Sequence, residues 1–395
     1  VWRVGDDQPP HYLRMLMGHE GSIGVIACGQ QDRLATLSSG GNIRLWNVES
    51  GKLLRVMEGY SRLIGANAFS SDGKVLVQGD AGGKIRLWEL DRRRYRALTQ
   101  GHLGPIFVLA VHPAARRFAT AGYDRCVRLW DLDSLDCLKT YPGHPGAIFA
   151  LAFNHDGSLL ASGGVFHAVM LWDSDPLSDR LQAGRLETAD DVWALRFDPT
   201  GAGLVSGHLH GSVSLWDVRS GAQKLALPHG TTPVGGLRFG TDGRTLMTSN
   251  NQQLLKVWDL EQAECRHTLD IGAEGNRTTC VVIGPDGRFV ASGSDEPVIH
   301  LRRLGPDRTV AETVVIPGHL NRVWGIALSP DERYLASSDE EGTTLLVDIQ
   351  AGRVVEKIML DRPYERMNLH GVKGLNAAEH AALKTLGAWE EEAAR

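Results

Sequence analysis

The sequence predicts an all-β fold: a single closed propeller of about eight four-stranded blades, followed by a short helical tail. Three observations predict it: a tryptophan that returns at a nearly fixed interval, a short alternating run around each one, and turn residues between the runs. Trp46, Trp88, Trp130, Trp172, Trp216 and Trp258 are separated by 42, 42, 42, 44 and 42 residues. Two further units keep the rhythm without the tryptophan: Arg302 lies 44 residues past Trp258, and Val347 lies 45 beyond that. A period of roughly 43 residues is the length of one four-stranded blade.

Each strand can be placed in the third unit. An apolar run, Ile106 to Val111, follows Leu103-Gly104-Pro105, and a turn at Pro113-Ala114 ends it. The run Phe118-Ala119-Thr120-Ala121 comes next, then a turn through Asp124, then 127–132, then an outer strand near Cys137-Leu138-Lys139-Thr140. Short alternating runs bounded by Gly, Asp and Pro read as strands, and no helical period competes with them. One such blade cannot cover both of its faces, whereas ring closure covers them and removes long exposed edges. Counting inner strands gives eight repeats between Ile23 and Asp348, with nine candidate outer strands to serve them. The expectation is an eight-bladed ring that leaves either 11–16 or 354–359 to pair elsewhere. Residues 1–17 would be entering strands, the end of an upstream repeat; 18–360 the propeller; and 361–395 a tail carrying a helix.

Bulk composition narrows the function classes. With 42% hydrophobic and 23% charged residues the chain is an ordinary globular one. The net charge of −5 argues against a nucleic-acid partner, which calls for a positive excess. No apolar run is long enough to span a membrane. The start, Val1-Trp2-Arg3-Val4-Gly5, lacks the basic and apolar regions of a signal peptide, and it is not a Met. A cytoplasmic location, within a longer or processed protein, is the expectation. Five scattered cysteines (Cys28, Cys126, Cys137, Cys265, Cys280) form no C-x-x-C pair, so free thiols are expected rather than disulfides or zinc.

At its motifs the chain resembles the WD-repeat family. Gly-His pairs occur at Gly18-His19, Gly101-His102, Gly143-His144 and Gly318-His319, and Trp-Asp pairs begin at 130, 172, 216 and 258. The resemblance covers about residues 11 to 360. It implies a buried structural hydrogen-bond network of His102, Thr120, Asp124 and Trp130 in the third repeat. Other repeats depart from that set: Tyr60 stands at one histidine position, and Gly40, Gly82 and Phe166 stand at aspartate positions. The family's geometry also implies a top face with three side chains per blade around the channel. Carried over, it gives a binding surface for a protein or peptide at Phe107, Tyr123, Phe149, Asp191, Trp193, Arg277, Arg322 and Trp324. Aromatic and arginine side chains dominate interface hot spots, which favours that face over a mere channel plug.

Other features carry less. Arg92, Arg93 and Arg94, with Arg116 and Arg117, form an alternative basic patch on the opposite face, suited either to solvent or to an anionic partner. The glycine run 79–85 is one residue short of a phosphate loop and precedes a strand, so a turn is expected. His208 and His210 have no third ligand nearby in sequence. Neither catalytic residues nor a cofactor or metal is expected. In the tail, Asn376 and Glu379 resemble a capping box opening an Ala-rich helix. That tail resembles the ending of large prokaryotic signalling ATPases (the STAND class) that join a nucleotide-switch core to WD repeats. The resemblance implies the ligand-sensing part of such a protein.

Overall fold

A computed structural model of the chain describes residues 2–5, 8–12, 23–28, 33–38, 43–57, 63–92, 94–98, 101–252, 254–271, 278–284, 287–305 and 309–359. The chain divides into two compact units, 1–357 and 358–395. The expected tail helix lies outside the described residues.

Repeats 1 to 8 each fold as a four-stranded antiparallel sheet whose strands pair in chain order. They span 23–57, 64–98, 106–141, 148–187, 192–228, 234–270, 278–317 and 323–359. Burial follows the strand order. In repeat 3 the second strand, Arg117–Gly122, is buried along all but its first residue, and Trp130 on the third strand pairs with Phe118 across the ladder. The outer strand Cys137–Tyr141 is half exposed. Between blades the sheets meet face to face: Leu129, Tyr141, Ile148 and Leu160 of repeats 3 and 4 belong to one cluster. That interleaving gives an alternating sequence a buried place for both of its faces.

The ring has seven blades, not eight. The inner strands of repeats 2 to 8 contact their neighbours in a cycle, and Val323–Leu328 of repeat 8 packs directly on Ile64–Phe69 of repeat 2. Repeat 1 completes a sheet of its own but stands outside that cycle. The junction shows why an eighth blade has no place. Phe69 and Leu76 share a core cluster with Ala327, Ala336 and Leu346. Gln78 reaches across it, its Nε2 lying 3.1 Å from Ser338 Oγ, 2.9 Å from Thr344 Oγ1 and 2.8 Å from Asn67 Oδ1. Two amide hydrogens thus serve three acceptors, and the amide oxygen accepts the Trp88 indole N–H at 2.7 Å. A Cβ on Gly325 would sit 2.4 Å from Asn67 Nδ2. The outer strands also resolve: Arg353–Met359 completes repeat 8, and Gln8–Tyr12 pairs with Trp2–Gly5. Residues 13–16 lie outside the described set.

The polar network of repeat 3 forms as a chain of donors. The Trp130 indole donates to Thr120 Oγ1 at 2.7 Å, and that hydroxyl and His102 Nε2 are 2.6 Å apart. His102 Nδ1 lies 2.9 Å from the Asp124 carboxylate and 2.6 Å from Arg128 Nη1, so an acid and a guanidinium meet at the same ring nitrogen. Burial alone would raise the Asp124 carboxyl. The hydrogen bond and charge of His102, then those of Arg128, outweigh it and hold the group well below the usual carboxylate range. The indole-to-hydroxyl bond recurs at 2.7–2.8 Å in repeats 1, 4, 5 and 6, onto Thr36, Ser162, Ser206 and Thr248. In repeat 7 Arg302 replaces the tryptophan and donates to Ser292 at 3.0 Å.

The aspartate is partly relocated rather than lost. In repeat 8 His319 pairs with Asp339, at the end of the second strand, two residues before the position the family pattern gives. In repeat 2 Asp80 takes the same place; it accepts the Gly82 and Lys84 N–H groups and meets Arg86 at 2.8 Å. The glycine run 79–85 is therefore a carboxylate-capped turn. Repeat 4 has no such acid: Phe166 packs its ring against His144 at 4.2 Å, and His144 Nδ1 is buried without a partner.

Two outcomes follow. Asp124→Ala leaves the buried His102 and the half-buried Arg128 without their acceptor and should cost about 2–4 kcal/mol of unfolding free energy. Gly82→Ala should cost roughly 1 kcal/mol or less, because Gly83 and not Gly82 holds the left-handed conformation (φ 80°). Denaturant titration of both variants checks this, and equal losses would contradict the assignment. Burial pushes the His144 imidazole down to about 3, so the folded state keeps it neutral where the unfolded chain protonates it. Its contribution to stability is whole above about pH 6.5 and falls as pH falls toward the folded value. Between pH 7 and pH 5 this one group should remove roughly 2 kcal/mol. His144→Gln should flatten the stability profile over that interval; an unchanged slope would show that other groups set it.

Candidate functional site: the upper channel mouth

Each inner strand of the ring carries a bulge at its second residue. In repeat 3 Ile106 pairs with Gly122 and Val108 with Ala121, which leaves Phe107 out of the ladder. The same shift occurs at Gly65, Phe149, Trp193, Gly235, Thr279 and Trp324. A bulge re-aims the side chain it releases, and here a ring of seven such positions surrounds the upper end of the channel. A cavity of about 230 Å³ opens there, lined among others by Phe107, Trp193, Gly235, Asn251, Thr279 and Trp324.

The aromatic residues on one side form a stack. Phe107 and Phe149 have ring centroids 5.0 Å apart at 28°, and Phe149 and Trp193 are 4.7 Å apart at 23°. Such offset pairs add attraction beyond the area they bury. The stack ends at Trp193, because the next position is Gly235, where a Cβ would stand 3.9 Å from the indole Cδ1. Trp324 is held separately. Its indole N–H donates to Glu340 at 2.6 Å, the Arg322 guanidinium lies 5.6 Å from its ring, and Arg322 Nε bonds Asp295 at 2.8 Å. At 36% exposure it is the most accessible large aromatic on the mouth.

Of the residues expected on the top face, the structure therefore brings Phe107, Phe149, Trp193 and Trp324 to one mouth, with Arg322 beside Trp324. Tyr123 is exposed on a turn, its N–H bonded to Pro105 O at 2.9 Å, and does not line the cavity. Asp191 is also off the cavity; its Oδ1 faces His167 Nε2 at 3.8 Å. Arg277 lies outside the described residues.

A model of the first β-propeller of IFT122 matches residues 63–348. The chain belongs to this family. The match begins where repeat 2 begins and so leaves out repeat 1, in agreement with a ring of repeats 2 to 8. No curated protein matches the chain. Propellers like the first one of IFT122 are generally non-catalytic scaffolds.

Around this IFT122-type propeller the remaining candidates have local work. His208 is buried against Ser206 at 2.9 Å, while His210 is exposed and meets Asp190 at 2.9 Å, so the two do not share a site. Among the described residues no group of three or more His, Cys, Asp or Glu could hold a metal ion. Cys126, Cys137, Cys265 and Cys280 are free. On the opposite face Arg92 and Arg96 both approach Glu89, and Arg116 grips Asp133 and Asp72 at 2.8 Å. Those carboxylates balance the patch; Arg94 is exposed and Arg117 half-buried nearby, and Arg93 is outside the described residues.

Proposed function

We propose that the chain is a non-catalytic scaffold that binds a protein or peptide at the upper mouth of its channel. The observation that carries this is a cavity lined by Phe107, Trp193 and Trp324, with Phe149 stacked between the first two. Aromatic rings at an open mouth lose few rotors when a partner covers them, and they supply most hot-spot energy. Gly65 and Gly235 leave openings through which a partner's side chain can enter. A role as the sensing part of a larger prokaryotic signalling protein draws its support from the sequence of 361–395 alone. A cytoplasmic setting is consistent with the finding that, among the described residues, no helix is long and apolar enough to cross a membrane. The reading through the basic opposite face is less favoured, since its arginines already meet carboxylates.

Peptides selected from a displayed random library against the intact chain provide the test. Titration calorimetry of a selected peptide should show Trp193→Ala and Trp324→Ala each losing about 2 kcal/mol or more, roughly 30-fold in affinity. Melting temperatures should stay close to that of the parent. Arg92→Ala combined with Arg94→Ala should leave affinity unchanged. Full binding by both tryptophan variants would remove the upper mouth as the site, and a loss in the arginine variant would move it to the opposite face.

A further inference from the structure

The lower half of the channel holds a second and larger cavity, of about 800 Å³, at the end where each inner strand turns into the second. Its wall is set by the fifth residue of each inner strand. That residue is small and apolar in five strands: Ala68, Ala110, Ala152, Val282 and Ala327. In the two adjacent strands between Ala152 and Val282 it is arginine, Arg196 and Arg238. Five short side chains leave the space open, and the two guanidiniums enter it from one side.

Only one of the two guanidiniums has an acidic partner where it stands. Arg238 meets Glu332 at 3.5 Å. Among the described residues no hydrogen bond or ion pair engages Arg196. The other ionisable side chains lining the cavity are His155 and Asp198, and the Asp198 carboxylate accepts the Thr200 hydroxyl of its own turn at 2.8 Å. Arg196 is exposed to the water of the channel yet surrounded by the ring. Burial there, and then the charge of Arg238, push its guanidinium down to about 10, so it remains a cation at neutral pH.

We propose that the lower channel is a binding site for an oxyanion, a phosphate or carboxylate group, held between Arg196 and Arg238. Guanidinium forks match the paired oxygens of such groups. Glu332 occupies part of Arg238 in the empty site and competes with the anion for it. The apolar remainder of the wall gives room for the body that carries the charged group. This site is at the other end of the channel from the aromatic mouth and does not depend on the function assigned there.

Inorganic pyrophosphate and citrate are the two probes, titrated separately into the intact chain at low salt. At least one should bind with a dissociation constant below about 1 mM, and the one that binds shows whether phosphate or carboxylate is preferred. Arg196→Ala and Arg238→Ala should each weaken binding by about tenfold or more, and both introduce the residue that four other strands carry, so the fold should hold. Glu332→Gln should tighten binding by roughly threefold or more, because it frees Arg238. Arg92→Ala should change nothing. Failure of both probes to bind at about 10 mM would overturn the proposal, as would equal binding by the parent and Arg196→Ala. If Arg196→Ala proves unstable by melting, Glu332→Gln decides, and an unchanged or weaker affinity overturns it.

Discussion

Gln78 sits where the other repeats place a threonine or serine, and the ring closes across it. Thr36, Thr120, Ser162, Ser206, Thr248, Ser292 and Ser337 each use one hydroxyl inside their own blade. The longer amide of Gln78 serves the Trp88 indole with its oxygen and reaches Ser338 and Thr344 of the last blade with its nitrogen. Around it Phe69 and Leu76 pack on Ala327, Ala336 and Leu346, so polar and apolar contacts favour the same closure. Among the described residues no outer strand passes between the first and last ring blades; both are built from their own chain segments. Side-chain packing and this buried amide must hold the ring shut, which makes the junction sensitive to single changes.

Closure at seven determines the channel. Seven inner strands, each bulged at its second residue, set one ring of side chains at the upper mouth and another, three residues on, in the lower half. The upper ring is aromatic on one side and open at glycines; the lower is small and apolar except for two adjacent arginines. Both arrangements are asymmetric. A seven-fold repeat of backbone therefore presents two chemically distinct ends, and the blades between them keep the ends apart. The family's propellers are protein-binding scaffolds, and a rigid ring with unlike ends suits that use.

The repeat, its strands and the third-blade network were legible because a buried indole, hydroxyl and imidazole demand fixed residue types at fixed spacing. The upper aromatic residues were legible for the same reason, since the bulge occurs at one strand position throughout. The number of blades in the ring was not. Repeat 1 completes a four-stranded sheet and keeps its Trp46–Thr36 bond, although Gly40 stands at its aspartate position, and nothing in its own sequence says which repeats meet. The signal was present elsewhere, as the single glutamine at position 78. Asp80 and Asp339 were missed because a carboxylate two residues earlier in the chain can reach the same turn or histidine. Arg196 and Arg238 escaped notice because they follow no family position. Their 42-residue separation and the alanines at equivalent sites could have shown them.

Closure of repeats 2 to 8 on themselves is tested most directly by removing residues 1–62 and following thermal unfolding beside the full chain. A self-closed ring predicts one cooperative transition within a few degrees of the parent's, with Gln78→Ala lowering it in both chains. A shortened chain that melts without cooperativity, or more than about 10 °C early, would contradict it and restore repeat 1 to the ring.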